Sequence, residues 1–141
     1  MVGDTFLVGC KSPENIIFPE FNKENPDMLN EKYNNEVGIY SYGCGIDNGH
    51  CSWGHSESLY IILSPSKNPN ELPAEALYIA RFHLLYAYHD KEEYFHLQPD
   101  KDKEMLHILK TFNEYDLYSK RDEIYDVNKL KDCYMGLIKK D

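Results

Sequence analysis

Two histidines and one aspartate recur at helical spacing on stretches that are otherwise mostly apolar. Residues three or four positions apart share one face of an α-helix, and three consecutive segments each carry one potential metal ligand on such a face. The three stripes are Ser52, His55, Leu59 and Ile62; Ala76, Ala80, His83 and Ala87; and Met105, Leu109, Phe112 and Asp116. The pattern predicts that three helices point His55, His83 and Asp116 inward.

These residue types suit a metal site. Burying a carboxylate is costly unless its charge is compensated, and a metal ion is one such compensator. Imidazole and carboxylate ligands are compatible with non-haem iron, whereas sulfur-rich sets favour structural zinc or clusters. His55, His83 and Asp116 are therefore candidate iron ligands. The alternative stays open, because an inward histidine is often a hydrogen-bonded core residue and an aspartate near a helix end is often a cap or an ion-pair partner.

A second possible set of metal ligands lies just before and within the first of the three stripes. It consists of Cys44, His50, Cys51 and His55, which together could supply a compact zinc site. The spacing lacks the two short ligand pairs, separated by a longer loop, that are usual for structural zinc. The four cysteines of the chain form no CxxC pair, and we expect them to be free thiols.

Caps, breakers and apolar spacing predict four helices that would position these side chains. They run from Ser52 to just before Pro65, from Ala74 to about Tyr88, from Glu104 to about Tyr118, and from Val127 to about Lys140. Ser52 is the expected cap of the first helix, Pro73 starts the second, and Asp100 or Asp102 caps the third. The fold class expected is all-α.

Residues 1–51 differ from the rest, because they are rich in proline, glycine and asparagine and show no sustained helical stripe. Short extended stretches are expected at Asn15–Phe18 and Gly38–Tyr42. A connection of this length is uncommon in a compact domain and indicates a functional loop or a segment that rests on a surface absent from the chain. We expect a single partial domain over residues 1–141, with a loop-rich segment at 1–51 and a helical segment at 52–141.

Length and charge restrict the partners. The chain has 141 residues, 15 of them basic and 24 acidic, and a formal net charge of −9, which argues against nucleic acid as a partner. No apolar run approaches the roughly 20 residues that span a bilayer, and the amino terminus lacks the basic and apolar regions of a secretion signal. We expect a cytoplasmic protein with no membrane partner.

Short runs distributed in one order over the whole chain carry a resemblance to a known family. They are Val2–Phe6 with Val8–Cys10, Cys44–Gly45, Ser52–His55, Leu72–Pro73 with Glu75–Ala76, Arg81–His83, Phe112–Asn113 with Asp116–Tyr118 and Lys120, and Gly136–Ile138. Together they resemble the carboxyl-terminal half of the myo-inositol oxygenases. The resemblance implies an all-α fold related to the HD-domain superfamily. It also implies a di-iron centre that cleaves the ring of myo-inositol with dioxygen to give D-glucuronate.

Residue by residue, the resemblance implies a ligand set. His55 and His83 match two imidazole ligands of one iron, and Asp116 matches a carboxylate ligand of the other. The family's remaining ligands lie upstream of the Gly3–Asp4 loop, where this chain starts, so the resemblance implies half a centre. His89–Asp90 looks like the pair that names the HD superfamily, but we expect it in the loop after the second helix and not at the metal.

The resemblance also implies substrate contacts. Gly3 and Asp4 match a loop that contacts inositol hydroxyls, and His83 and the residue after it match further contacts. That residue is Leu84, where the family has a polar side chain. Lys120 matches a catalytic lysine that helps to hold the cyclitol and would offset the negative charge of an alkoxide. It lies one helical turn beyond the aspartate ligand.

Three functional hypotheses follow. The first is an inositol oxygenase cut short, the second is an inactive remnant that binds a partner or inositol without turnover, and the third is a mononuclear iron oxygenase that uses His55, His83 and Asp116. For the isolated chain we expect weak iron binding and little turnover. The sequence predicts no oligomeric state.

Overall fold

The computed structural model describes residues 5–16, 18–116 and 126–139 of the chain. Helices dominate this part, as expected. The five α-helices are α1 (His55–Leu63), α2 (Ala74–Phe82), α3 (Tyr86–His89), α4 (Asp102–Asp116) and α5 (Val127–Ile138). None of the helices in these ranges has the length and apolar composition that a membrane crossing requires.

A short sheet shows that the all-α expectation is wrong in one respect. Strand β1 (Leu7–Val8) pairs antiparallel with strand β2 (His50–Cys51). Ser52 extends this pairing, because its N–H donates to the Phe6 carbonyl at 2.8 Å and its Oγ accepts from the Phe6 N–H at 3.3 Å. The expectation that Ser52 caps the first helix is therefore wrong. Its hydroxyl is taken by a strand partner, and α1 instead follows Gly54, with no side-chain cap.

The loop-rich segment is more regular than the sequence indicates, although it holds no long helix among its described residues. It contains three short 3₁₀ helices, Pro19–Glu24, Pro26–Leu29 and Ile46–Asn48. A proline begins each of the first two, where its fixed φ suits a helical turn. The expected extended stretches are wrong, since Gly38–Tyr42 and the described part of Asn15–Phe18 form bends and turns.

The second predicted helix, from Ala74 to about Tyr88, is divided into α2 and α3, so its expected continuity is wrong. In a continuing helix, the carbonyls at its end would accept from backbone N–H groups one turn later. Here other donors occupy these carbonyls. The Leu84 carbonyl accepts from the N–H of Thr5 at 3.1 Å, and the His83 carbonyl accepts from the imidazole of His89 at 3.1 Å. A helix can end without an exposed carbonyl where other donors are present.

The core is built from β1, the turn at 46–48, α2, α3 and the inner face of α4. Its fully buried apolar side chains are Leu7, Ile46, Phe82, Leu85, Tyr88, Leu97 and Leu109. Asp102, which begins α4, is also buried, and its carboxylate accepts from the backbone N–H of Ile46 at 3.0 Å. By contrast, every residue of α5 is exposed, including the apolar face that the sequence predicts for it. The two imidazoles of interest lie at the ends of α1 and α2, which pack on each other.

Two glycines allow a test of how closely the loop-rich segment is packed. Gly38 and Gly43 both have positive φ, at +59° and +68°. A Cβ on Gly38 would overlap the carbonyl oxygen of Gly9, whereas a Cβ on Gly43 would meet open space. In urea unfolding we expect Gly43→Ala to cost about 1 kcal/mol, because only the left-handed backbone is strained. Gly38→Ala should cost at least about 2 kcal/mol more, because its backbone contact must also open. Equal losses would contradict this packing.

Candidate metal centre

His55 and His83 come together where the first turn of α1 meets the end of α2. Their ring centroids are 5.7 Å apart and the ring planes are inclined by 56°. An imidazole nitrogen binds a metal at about 2 Å, which puts the ring centre about 3 Å from the ion, so two rings on one ion have centres no more than about 6 Å apart. The observed spacing fits two imidazoles that share one metal ion.

The ring of His83 is held in one tautomer. Its Nδ1 lies 3.0 Å from the carbonyl oxygen of Ile79 and 3.2 Å from that of Ala80. A carbonyl oxygen can only accept, so Nδ1 carries the proton and the neutral ring presents the lone pair of Nε2. Metal-binding histidines commonly donate their other N–H to a backbone carbonyl in this way. The His83 imidazole is therefore oriented as a ligand would be.

Asp116, the predicted carboxylate ligand, is the exposed last residue of α4. Phe112 lies one turn earlier on the same face, and its ring meets the ring of His83 edge-on with centroids 6.3 Å apart. Within residues 5–16, 18–116 and 126–139, no three histidine, cysteine, aspartate or glutamate side chains are close enough to hold one metal ion. The described structure thus brings the two histidines together and leaves Asp116 outside their group.

The other predicted site residues are described only in part. Gly3, Asp4 and Lys120 lie outside the described residues. The described chain begins at Thr5, which is buried and donates its N–H to the carbonyl of Leu84 at 3.1 Å. The residue that follows the Gly3–Asp4 pair is thus held beside Leu84, the other predicted substrate contact, and next to His83 in the chain.

His89 and Asn113 form a hydrogen-bonded pair that sequence reasoning missed. His89 was expected in a loop, but it is the last residue of α3 and is only 2% exposed. Its Nε2 lies 3.1 Å from the His83 carbonyl and its Nδ1 lies 3.3 Å from Asn113 Nδ2. Burial lowers the pKa of His89 below its ordinary value, which favours the neutral ring. Because Asn113 is 24 residues away, no local pattern indicates the pair.

Arg81 makes the buried ion pair that joins α1 to α2. Its Nε and one terminal nitrogen donate to the two carboxylate oxygens of Glu57, at 2.8 and 3.0 Å. The side chains are only 8% and 13% exposed, respectively. The guanidinium also donates to the backbone carbonyls of Asp47 and Gly49, at 2.7 and 2.9 Å, and lies over the ring of Tyr60. One side chain therefore connects both helices and the turn that leads into β2.

This ion pair lies close in the chain to both imidazoles. Glu57 follows His55 by two residues, and Arg81 precedes His83 by two. A bidentate carboxylate–guanidinium pair allows little sliding or rotation of one helix against the other. The Arg81–Glu57 contact therefore holds together the two helix ends that carry the imidazoles.

The alternative zinc site gains no support. Cys44, His50, Cys51 and His55 all lie in the described part of the chain and form no metal-binding group there. All four cysteines are free, as expected.

Removing one partner of the ion pair should destabilise the fold. Glu57→Gln leaves the buried Arg81 guanidinium without its carboxylate, and we expect the free energy of unfolding in urea to fall by about 3–5 kcal/mol. Combining Glu57→Gln with Arg81→Met should cost less than the sum of the single changes, because no unpaired charge remains buried. The control is Glu114→Gln on the exposed face of α4, which should leave the unfolding midpoint unchanged. A similar shift for Glu57→Gln and Glu114→Gln would show that the pair does not hold α1 to α2.

The thiols should differ in reactivity. Cys133 is exposed, whereas burial raises the pKa of Cys10 to about 11 and that of Cys51 to about 12. At pH 8 we expect iodoacetamide to modify Cys133 much faster than Cys10 or Cys51, because the thiolate is the reacting form. Peptide mass spectrometry gives the order, and in urea the three rates should converge. Labelling of Cys51 as fast as Cys133 in the folded protein would contradict the raised pKa of the Cys51 thiol.

Comparison with known proteins identifies the family. The family model described as myo-inositol oxygenase matches residues 1–141. A probable inositol oxygenase from Oryza sativa subsp. japonica is 48% identical over 140 residues, and inositol oxygenases from Dictyostelium discoideum and Homo sapiens are 48% and 40% identical over 139 and 141 residues. Each match covers 99% of this chain but 45%, 47% and 49% of the respective relatives, so the chain spans about half the length of the curated relatives it matches. The chain belongs to the myo-inositol oxygenase family.

Proposed function

We propose that this chain carries one half of the iron site of an inositol oxygenase, which cleaves the ring of myo-inositol with dioxygen to give D-glucuronate. In this proposal His55 and His83 are two ligands of one iron and Asp116 is a ligand of a second. The observation that carries it is the placement of two imidazoles with centroids 5.7 Å apart, one of them with its Nδ1 proton held by a backbone carbonyl. The family membership of the chain gives the reaction.

The residues fit the chemistry. When bound, iron with few protein ligands supplies open positions for dioxygen and substrate oxygens. The Ile79 carbonyl keeps the Nδ1 proton of His83 in place, so that Nε2 stays a lone-pair donor. The Arg81–Glu57 pair, two residues from each imidazole, holds together the two helix ends that carry the rings.

Substrate binding belongs to the same proposal. Gly3, Asp4, His83 and Leu84 would contact the hydroxyls or the ring of the cyclitol, and Lys120 would act as the catalytic cation that offsets charge on a developing alkoxide. The hydrogen bond between Thr5 and Leu84 supports this, because it holds the residue after Asp4 beside the His83–Leu84 peptide. Since Leu84 has no polar side chain, its contact with substrate would be made by the backbone or by apolar packing.

A further segment would supply the remaining ligands. The chain spans about half the length of its relatives. Large apolar side chains are exposed on α1, just before α1 and on α5. They include Trp53, which precedes α1, Ile62 on α1, and Leu137 and Ile138 on α5. We propose that the missing segment covers them and completes an HD-domain-like bundle. Four free cysteines support placing the protein in the reducing cytoplasm.

A reconstitution experiment tests the proposal. Anaerobic titration of the purified chain with Fe²⁺ should give weak binding, and under dioxygen the chain should form little glucuronate from myo-inositol. Co-expression with the part of the Oryza sativa relative that lies outside the match should raise both the iron content and glucuronate formation. His55→Ala or His83→Ala should abolish that gain. His107→Ala, which removes an exposed histidine of α4, should not.

Each alternative predicts a different result. Two irons and rapid glucuronate formation by the chain alone would show that the half-site proposal is wrong. One iron with rapid turnover by the chain alone would favour a mononuclear oxygenase that uses His55, His83 and Asp116. Inositol binding without turnover in the co-expressed complex would favour an inactive remnant.

A further inference from the structure

We propose that His89 and Asn113 are positioning residues for His83, because their hydrogen bonds hold its backbone carbonyl and thereby the direction of its imidazole. The inference rests on the proposed function in taking His83 as a metal ligand. It assigns a role to a histidine that is distinct from the two proposed ligands.

The hydrogen bonds run in one direction, from Asn113 through His89 to His83. The His83 carbonyl can only accept, so the His89 Nε2 at 3.1 Å carries a proton. The neutral His89 ring then has a lone pair on Nδ1, which accepts from Asn113 Nδ2 at 3.3 Å. Turning the Asn113 amide over would bring its oxygen against that lone pair. The arrangement therefore depends on this tautomer of His89 and this orientation of Asn113.

The His83 carbonyl lies where α2 stops. In a continuing helix it would accept from the backbone N–H four residues later. Here the imidazole of His89 replaces that donor, and His83 keeps φ −58° and ψ −24° at the end of the helix. With this backbone the His83 ring reaches back to the carbonyl of Ile79.

Without the His89 donor, the carbonyl of His83 would lose its partner inside the protein. A partly buried carbonyl that loses its donor raises the free energy of the fold, so the peptide after His83 would rotate toward water or another donor. Where this rotation also loosens the last turn of α2, the His83 ring is released from the Ile79 carbonyl. The Nδ1–H of His83 would then lose its acceptor, and the ring would no longer be held in one tautomer.

Two neutral variants of His89 separate positioning from core filling. In His89→Gln the side-chain amide nitrogen reaches the place of Nε2 and can still donate to the His83 carbonyl. In His89→Asn the shorter amide reaches the place of Nδ1, so it keeps the contact with Asn113 and loses the contact with His83. Both variants remove the same aromatic ring and should lower the unfolding midpoint.

The first readout needs no metal. Long-range proton–nitrogen NMR of the metal-free chain reports which ring nitrogen of His83 carries the proton. We expect the proton on Nδ1 in the wild type and in His89→Gln, and a mixture of both tautomers in His89→Asn. The wild-type tautomer of His83 in a folded His89→Asn variant would overturn the proposal.

The second readout is the binding of Co²⁺ to the chain, which is measured by visible absorption. The His83→Ala variant serves as the control, because the signal that it loses belongs to the His55–His83 pair. We expect binding about tenfold weaker in His89→Asn and within about twofold of wild type in His89→Gln, because second-shell partners of a ligand typically contribute 10- to 100-fold in affinity. Equal affinities in the two variants would overturn the proposal. If the wild type gives no His83-dependent signal, the metal assignment fails, while the tautomer measurement still decides whether His89 positions His83.

Discussion

The geometry of the candidate centre depends on the buried ion pair between Arg81 and Glu57. A charge removed from water must be compensated, and the fork of the guanidinium is satisfied by a carboxylate on α1 and by two carbonyls of the turn before β2. Two separate pieces of chain, α1 and this turn, therefore converge on one side chain of α2. His55 and His83 lie two residues from this contact, so the interaction that joins α1 to α2 also joins the two helix ends that carry the imidazoles.

A second constraint acts at the end of α2. The carbonyls of His83 and Leu84 accept hydrogen bonds from the imidazole of His89 and the N–H of Thr5, respectively, and the His83 ring donates to the last turn of its own helix. These bonds divide what would be one long helix into α2 and α3. They also gather a candidate ligand, a candidate substrate contact and the start of the described chain at one point. The hydrogen bonds that end α2 therefore also bring these residues together.

The surface of the chain agrees with a partial site. Apolar side chains remain exposed on α1 and along α5, whereas the core beneath α2 and α4 is closed. Isolated apolar residues on a surface are ordinary, but continuous apolar helix faces usually meet a partner. This agrees with a chain that spans about half the length of its relatives and with a group of two imidazoles in which Asp116 does not take part.

The sequence by itself determined which segments are helical and which side chains are candidate ligands. Pro65 and Pro73 delimit α1 and α2, and the apolar stripes place His55 and His83 on facing sides, because these signals act over a few residues. Only the tertiary structure decided that α2 ends at Phe82, that Ser52 pairs with a strand and does not cap a helix, and that His89 is buried against Asn113. Each of these depends on hydrogen bonds between residues far apart in the chain, such as Ser52 with Phe6, separated by 46 positions, or Arg81 with Glu57, separated by 24. Local propensity cannot identify such partners, because they meet only after the helices have packed.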